Sequence, residues 1–507
     1  MKLDYSDKIY GCFLGKSIGG SIGGPLEGRK EFLDISYRLP EKILPNDDLD
    51  LQLVWLDILK KKGIKITADD LVNGWINNIT YPFDEYGVVI ANLKAGLKPP
   101  QTGIYNNWFF ECMGAPIRSE IWGCIFPGMP EVAGYYAYLD ASVDHWNEGV
   151  YGEVFLSIIE SIAFREDDIE QLIKKGCEYL PEKSKVRRVG EMVLGLYVER
   201  KDLRETREKI LKHFGHYNFT HCVQNIGFII CGLLYGEGNF LKTIVEATRC
   251  GYDTDCTAAT AGAVIGIILG KEQIERQIKT EIDDRIVAGW GIKDIDVPAD
   301  IDELTGDILK LIEKTEKEEN LPYIGKPFEL PEISEFEKPL KIKFEISDVF
   351  EEVDDIEERI LSGEYDGFKE YTFDTMFIPL ERFFNGNRGR LFLKTQIEFG
   401  KEKKVKIYPA TTDGIKMWID KRKVLSYHQH SEFMPAPHRP GSPLYEAEME
   451  KGRYEILLEI MNCNNTPDFA FIIADEKNHL IYLNGNKIVC EKEVMGKGVR
   501  CEKFPSP

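Results

Sequence analysis

The sequence predicts an all-α domain followed by an all-β sandwich of jelly-roll-like type. From Tyr5 to about Glu313, apolar residues recur mostly at helical spacing between short loops marked by Gly, Pro and Asn. From about Lys314 to Glu337 the chain becomes charged and punctuated by proline. Beyond it, short alternating or β-branched runs end in turn residues. We therefore expect a helical domain over 1–315, a linker over 316–338 and a sandwich over 339–507.

Composition agrees with a globular protein of at least two domains. The chain has 507 residues, of which 43% are hydrophobic and 29% are charged. That length exceeds what a single hydrophobic core normally serves. A formal net charge of -21 disfavours bulk nucleic-acid binding because most of the surface would repel a phosphate backbone. A local basic pocket is still compatible with this charge.

Several features predict a cytoplasmic protein without a membrane partner. The first residues, MKLDYSDKIYGCFLGKS, do not resemble a secretory signal. The most apolar runs, around 226–235 and 258–269, are shorter than the roughly 20 residues that cross a bilayer. The 11 cysteines include no C-x-x-C pair, which indicates reduced thiols rather than a disulfide framework or a cysteine-rich zinc site.

The first helical stretch is rich in glycine. The segment GCFLGKS is one residue short of a P-loop, since Tyr10 stands where the first glycine is required. Residues 19–24 do not match the dinucleotide fingerprint, and no strand pattern precedes them. These glycines are instead expected to let a helix pack tightly and then turn at Pro25.

Two acidic clusters stand at the starts of helical stretches. Asp47 and Asp48 precede an amphipathic helix, and Asp253 and Asp255 stand at the start of a helix that Ala and Gly keep slim. Helix capping explains each aspartate taken alone. If the clusters meet in space, however, four carboxylates would repel one another, and divalent cations normally hold such groups together. The spacing alone leaves both interpretations open.

Four stretches resemble the ADP-ribosylglycohydrolase family, in the family's order. GCFLGKSIGGSIGGPLEG resembles its glycine-rich opening, NDDLDLQ its T-D-D-T motif, and GYDTDCTAATAGAVIG its G-G-D-T-D-T motif. The stretch GAPIRSEIWGCIFPGMPEVAGYYAYLDASVDHWNEGVYGE is similar to the family's central region, with its arginine and histidine. The chain is thus identified as a member of this superfamily from its start to near residue 310.

The resemblance implies a helical fold with two magnesium ions, or manganese in their place, at the floor of a pocket. It implies that water attacks C1 of a ribosyl group. The implied metal ligands are Asn46, Asp47, Asp48, Asp253 and Asp255. Glu27 corresponds to a glutamate on the loop that gates the pocket, and it is a catalytic candidate together with Asp47, Asp48 and Asp255. The sequence does not say which carboxylate is the general acid or base.

Four further residues are candidates for substrate binding. Arg118 and His145 belong to the matched central stretch, and His221 precedes a helical segment that carries Asn225. Each histidine taken alone is more often a structural residue than a ligand. We keep both interpretations for these positions.

The chain departs from the family pattern at the site itself. Asn46 and Cys256 stand at threonine ligand positions, and Gly20 replaces the usual aspartate. Leu49 replaces a further threonine. A thiolate is a soft ligand and a poor match for magnesium, so we do not expect Cys256 to bind the metal. These departures predict that the metal site is kept while the substrate can differ.

Three functions follow as hypotheses. The first is metal-dependent hydrolysis of a ribosyl C1 bond, by default removing ADP-ribose from a modified protein side chain or a small acceptor. The second is hydrolysis of another nucleoside or glycoside on the same fold. The third is a non-catalytic ligand-binding or structural protein, in which the retained aspartates would not take part in catalysis.

In the second domain, TTDGIKMWIDKRKVL resembles a hairpin of accessory sandwich modules, many of which bind carbohydrate. The alternation of Ile415 and Trp418 with polar residues favours a structural explanation. His428, His430 and His438 lie in a Pro-rich segment without a matching carboxylate pattern, so we expect loop residues or a pocket edge rather than a metal site.

Overall fold

The computed structural model describes residues 5–279, 283–351, 353–428, 430–439, 443–464, 467–485 and 487–488. Grouped by the contacts between residues, the described chain forms two compact units. A helical unit contains the described residues up to Tyr81 together with those of Phe109–Ile333. A strand unit contains Pro82–Trp108 together with the described residues from Ser334 onward.

The regular structure of the described residues between Tyr5 and Thr315 is helical, as predicted. Short 3-10 turns lie at Gly24–Leu26 and Pro116–Arg118. The α-helices are α1 (Tyr5–Gly23), α2 (Asp47–Lys62), α3 (Ala68–Asn77), α4 (Asp84–Lys94), α5 (Gln101–Ile104), α6 (Glu120–Ile125), α7 (Pro130–Asp144), α8 (Glu148–Ala163), α9 (Ile169–Cys177), α10 (Lys185–Val198), α11 (Leu203–Phe214), α12 (Cys222–Tyr235), α13 (Phe240–Arg249), α14 (Thr254–Ile278) and α15 (Ile301–Thr315). In the described part of the chain, no helix combines the length and the apolar character that a membrane span needs.

Helices α1 and α14 pack backbone against backbone. A Cβ atom at Gly15 would overlap the carbonyl oxygen of Gly262, and one at Gly19 would overlap that of Ala258. Glycine is therefore needed at both positions, because any larger residue would push the helices apart. The chain then turns through the 3-10 segment that contains Pro25. The tight packing and the turn predicted from the glycines are confirmed.

Helix α2 begins at the first acidic cluster. The side chain of Asn46 caps it by accepting a hydrogen bond of 2.9 Å from the backbone N–H of Asp48. Leu49, Leu53 and Leu56 are buried along the helix, as their spacing predicts. This cap orders the backbone at the start of α2, which carries Asp47 and Asp48.

The predicted linker is partly anchored to the helical unit. Ile324 and Phe328 are each 1% exposed, and the backbone N–H of Phe328 donates to the carbonyl oxygen of Tyr179 at 2.7 Å. Two apolar side chains thus hold a charged, proline-punctuated segment in place. The boundary between the units falls after Ile333, later than the start of the predicted linker at 316.

The strand unit is built from antiparallel strands with two short helices. The helices are α16 (Ile356–Ser362) and α17 (Glu381–Phe384). The strands are β1 (Ile342–Ile346), β2 (Lys369–Phe373), β3 (Gly389–Phe399), β4 (Lys403–Thr411), β5 (Ile415–Ile419), β6 (Arg422–Tyr427), β7 (Tyr445–Met449), β8 (Gly452–Asn462), β9 (Phe469–Asp475), β10 (Leu483–Asn484) and β11 (Lys487–Ile488). One short pairing, between β11 and β3, is parallel.

Two sheets share one core. The larger sheet has the order β10-β11-β3-β8-β5-β6, with β1 joining β2 to β3, and the smaller has the order β7-β4-β9. Leu393 of β3, Ile407 of β4 and Phe471 of β9 belong to the same buried cluster. Since apolar residues of both sheets meet in one cluster, the predicted sandwich is confirmed.

The segment Pro82–Trp108, with α4 and α5, belongs to the strand unit. Within that unit, Tyr482 donates through its hydroxyl to Oδ1 of Asn92 at 2.7 Å, and Tyr105 donates to the carbonyl oxygen of Asp374 at 2.6 Å. The predicted boundaries placed this segment in the helical domain. Its partners lie more than 250 residues away in sequence, and helical periodicity carries no information about them.

The hairpin and the histidines of the second domain have structural contacts. Trp418 is 1% exposed and packs in a small apolar cluster with Phe392, which supports the structural explanation of its hairpin. His430 is bonded to Asp413 through Nδ1 at 2.8 Å, and Nε2 of His438 lies 3.7 Å from Asp84. These two histidines therefore contact different carboxylates.

Candidate active site

The two acidic clusters meet in space. Ligand atoms of Asp48, Asp255 and Cys256 lie within 4.8 Å of one another, and so do those of Glu27, Asp253 and Asp255. Asp255 belongs to both groups, so its carboxylate joins them. The condition set by the two-metal interpretation, that the clusters converge, is met by this geometry.

The backbone places Glu27 beside the second cluster. The N–H of Gly28 donates to the carbonyl oxygen of Tyr252 at 2.9 Å, and the N–H of Tyr252 donates to that of Arg29 at 2.7 Å. These two bonds tie the loop after α1 to the loop before α14, where Asp253 begins the acidic motif. Glu27 is exposed, whereas Asp253 is 1% exposed.

Three carboxylate oxygens of the clusters are buried without a hydrogen-bond partner among the described residues. They are Oδ2 of Asp48, Oδ2 of Asp253 and Oδ1 of Asp255. A buried carboxylate without a partner is costly, and a bound cation removes that cost. Hard oxygen donors at this spacing suit magnesium or manganese, so the residues present fit a divalent metal.

Burial and mutual repulsion raise the pKa of these aspartates. Burial, followed by the charges of Asp48 and Asp255, raises the pKa of Asp47 to about 8. Burial also raises the pKa of Asp48 to about 7, although Lys16 opposes the shift, and burial with the charge of Glu27 raises that of Asp255 to about 6. Without a cation, several of these groups therefore retain protons near neutral pH.

Cys256 contacts the site as a hydrogen-bond donor. Its Sγ donates to Oδ1 of Asp48 at 3.4 Å. Burial and the nearby aspartates hold the pKa of the thiol well above its ordinary value, so the sulfur keeps its proton. The expectation that Cys256 does not bind a hard cation stays a prediction, and this contact supports it.

Two departures from the family pattern are linked. A Cβ atom at Gly20 would overlap Nδ2 of Asn46, so a residue with a side chain at position 20 would displace that amide. Oδ1 of Asn46 accepts the capping bond from Asp48, which occupies one of its acceptor directions. The Asn46 amide thus occupies the space that a side chain at position 20 would need, and the role of Asn46 as a metal ligand stays a prediction.

The sequence interpretation missed a buried cation beside the site. Nζ of Lys16 lies 3.6 Å from Oδ2 of Asp48 and donates to Oε1 of Glu120 at 2.8 Å and to the carbonyl oxygen of Ile117 at 2.6 Å. Oε2 of Glu120 accepts from Gln52 at 2.7 Å. The available signal was a single charged residue, the lysine itself, within the glycine-rich stretch from Ile9 to Gly23.

Arg118 and His145 belong to a buried network in the helical unit. Arg118 is bonded to Asp140 at 3.1 Å, to Asp144 at 2.6 Å and to the carbonyl oxygen of Gly114 at 2.7 Å. Nδ1 of His145 lies 3.1 Å from Oδ1 of Asp144. Both residues are 0% exposed, and the guanidinium faces protein acceptors, so substrate binding by either residue stays a prediction.

His221 and Asn225 are buried at the start of α12. Nε2 of His221 lies 3.6 Å from Oε2 of Glu111, and Nδ2 of Asn225 donates to the carbonyl oxygens of His221 and Phe219 at 2.9 and 2.7 Å. These contacts are with neighbouring loops rather than with the four aspartates. Their role in substrate binding also stays a prediction.

Comparisons with solved structures give weak likenesses. One is to an ADP-ribosylglycohydrolase-related protein complex, with 15% identity, a TM-score of 0.40, and coverage of 61% of this chain and 98% of the other. An anti-sigma factor domain-containing protein from Clostridium clariflavum shows 13% identity and a TM-score of 0.21, with coverage of 30% and 47%. A β-glucosidase from Kluyveromyces marxianus shows 8% identity and a TM-score of 0.20, with coverage of 30% and 17%. TM-scores this low support no inference about function.

The comparison with curated proteins gives no match. The model of the ADP-ribosylglycohydrolase family matches residues 1–318, which is more than half of the chain and contains both acidic clusters. Glycosidic-bond hydrolysis is the activity of this family, and the match agrees with the four motifs found in the sequence. The chain belongs to the ADP-ribosylglycohydrolase family.

Proposed function

We propose that this protein is a divalent-metal-dependent hydrolase of the glycosidic bond at C1 of a ribosyl group, with ADP-ribosyl as the default. The observation that carries the proposal is the convergence of Glu27, Asp48, Asp253 and Asp255 around three buried oxygens without partners. Such a donor set gives a hard cation the ligands it prefers. Membership of a family of glycosidic-bond hydrolases supplies the reaction class.

The aspartates of both clusters would hold the metal, and Asn46 is a further candidate ligand. When bound, magnesium or manganese would act as a Lewis acid that lowers the pKa of a water and orients ribose hydroxyls. Glu27 is exposed while it contacts the cluster, so it can exchange a proton with solvent, and we assign it the role of general acid or base. Asp47, Asp48 and Asp255 are the other candidates for that role.

The contacts of Arg118 and His221 support a role in substrate binding to different degrees. The contacts of Arg118 with Asp140 and Asp144 favour a structural role, because its donors are directed at buried carboxylates. His221 is 9% exposed and stands at the start of a helix, so it is the better candidate for contact with a small-molecule or ADP-ribosylated substrate.

Asp253→Asn tests the proposal. The change removes charge from a buried carboxylate with an oxygen that lacks a partner, so manganese binding at millimolar concentration and hydrolysis should both be lost. The matched control is Asp57→Asn on α2, whose carboxylate pairs with Lys61 at 2.6 Å away from the clusters. A fully active Asp253→Asn enzyme would overturn the mechanism.

A second candidate is hydrolysis of another nucleoside or glycoside. The linked change at Gly20 and Asn46, together with the thiol of Cys256, alters positions where the family carries other residues. A screen of ADP-ribosyl-arginine, ADP-ribosyl-serine and simple ribosides with magnesium and manganese separates the two candidates. Failure of the wild-type chain to bind any divalent ion at millimolar concentration would favour a non-catalytic role.

A further inference from the structure

The two groups of acidic residues face different surroundings. On the first side, Oδ1 of Asp48 accepts from Cys256 at 3.4 Å, and Oδ2, which has no hydrogen-bond partner among the described residues, lies 3.6 Å from the ammonium of Lys16. On the second side, Oδ2 of Asp253 is buried and has no hydrogen-bond partner among the described residues. The need for a cation is therefore unequal at the two positions.

The ammonium of Lys16 is held beside Asp48. Its side chain is 1% exposed, and Glu120 and the carbonyl oxygen of Ile117 accept from it at 2.8 and 2.6 Å. Glu120 is itself held by Gln52 through the other carboxylate oxygen at 2.7 Å. Oδ2 of Asp48 and Oε1 of Glu120 lie 3.6 and 2.8 Å from the same nitrogen, so the ammonium is enclosed between two buried carboxylates. Lys16 thus places a positive charge directly beside Asp48.

The chemistry of the ligands points in the same direction. Glu27, Asp253 and Asp255 offer only carboxylate oxygens, whereas the group around Asp48 and Asp255 includes a thiol. Magnesium and manganese prefer the all-oxygen set. A divalent ion bound to Asp48 would also lie within a few ångströms of a fixed ammonium and be repelled by it.

We propose that the ammonium of Lys16 compensates the negative charge of Asp48 in place of one metal ion. This chain therefore binds one hard divalent cation tightly, at Glu27, Asp253 and Asp255. The position at Asp48 binds a second cation at least about tenfold more weakly. The inference rests on the proposed metal-dependent function and deepens it. Lys16 is accordingly a positioning residue, which sets the number of tightly bound cations through its contact with Asp48.

Titration of the metal-free full chain with manganese tests the proposal. Calorimetry and the electron paramagnetic resonance signal of free manganese measure the binding. The wild-type chain should bind one tight equivalent. Lys16→Met should strengthen the second position by about tenfold or more, because the repelling charge is gone. Lys8→Met is the matched control, since Lys8 lies on the same helix and donates to the carbonyl oxygen of Ile267 at 2.9 Å.

A second variant guards against misfolding, because Lys16→Met leaves the buried Glu120 without its ammonium. Cys256→Ser keeps the pair of Lys16 and Glu120 and replaces sulfur by a hard oxygen, so it should strengthen the second position several-fold. Two wild-type equivalents of similar affinity, or a folded Lys16→Met chain with an unchanged second position, would overturn the inference alone. Binding of no manganese would overturn the proposed metal-dependent function as well.

Discussion

Arg118 and Asp144 form a bidentate ion pair in the interior of the helical unit. One guanidinium nitrogen donates to Oδ2 of Asp144 at 3.0 Å and the other to Oδ1 at 2.6 Å. Asp140 accepts a further bond from the same guanidinium at 3.1 Å. One arginine thus compensates two carboxylates that have no exposed surface.

Removal of this arginine is expected to destabilise the fold. Arg118→Met leaves Asp140 and Asp144 buried without a cation, which should cost about 3–5 kcal/mol and lower the thermal midpoint measured by circular dichroism. Arg276→Met, which removes an exposed arginine paired with Glu272, should change stability by less than about 0.5 kcal/mol. A stable Arg118→Met chain with only a raised KM would instead assign this residue to substrate binding.

Glu153 gives the fold a pH dependence. Burial and the charge of Asp140 hold its pKa well above its ordinary value of 4.5, so the folded chain binds a proton that the unfolded chain releases above that pH. Its contribution to stability therefore falls as pH rises from about 4.5, by up to about 1.4 kcal/mol per pH unit.

Glu153→Gln imitates the protonated side chain and should gain stability relative to wild type between pH 5 and pH 8. Thermal midpoints at the two pH values measure the difference. Glu191→Gln is the control, because Glu191 is half-exposed on α10 and pairs with Arg187. A pH-independent difference for Glu153→Gln would contradict the assignment.

Metal binding should release protons. Burial raises the pKa of Asp255 to about 6 and holds that of Asp253 well above its ordinary value, whereas a cation binds the deprotonated carboxylates. The apparent affinity for manganese should therefore rise as the pH is raised from about 5.5. Calorimetry in two buffers of different ionisation enthalpy measures the released protons, and identical heats in both buffers would refute the prediction.

The close approach of α1 and α14 predicts an unusual sensitivity to a single methyl group. Gly15→Ala would overlap the carbonyl oxygen of Gly262 and should destabilise the chain by about 1–3 kcal/mol, with weaker manganese binding because Asp255 lies on α14 and Glu27 lies on the loop that follows α1. Gly195→Ala on α10 meets nothing within 4 Å and should be neutral or stabilising by up to about 1 kcal/mol. Equal midpoints for the two variants would contradict this packing.

The spacing of the aspartates left helix capping and a shared metal site both open, and only the resemblance to the family motifs implied that the two clusters meet, as Asp48, Asp253 and Asp255 do. The interior position of α14 followed from its small residues. The contact of Lys16 with Glu120 could not be predicted, since the residues are 104 positions apart and periodicity does not report which helices touch. The grouping of segment 82–108 with the strand unit could not be predicted either, because a helical pattern looks alike whichever core it joins.

The membership of Pro82–Trp108 in the strand unit constrains how the chain is made. During synthesis this segment leaves the ribosome well over 200 residues before Ser334, where the rest of its unit begins. Leu97 and Tyr105 are buried in the core that they share with the strands. Until the strands are synthesised, these side chains lack that core and stay exposed while the helices assemble. A nascent chain stalled before the strands are translated would therefore present apolar surface to chaperones, and a single cut after Ile333 would not yield two complete halves.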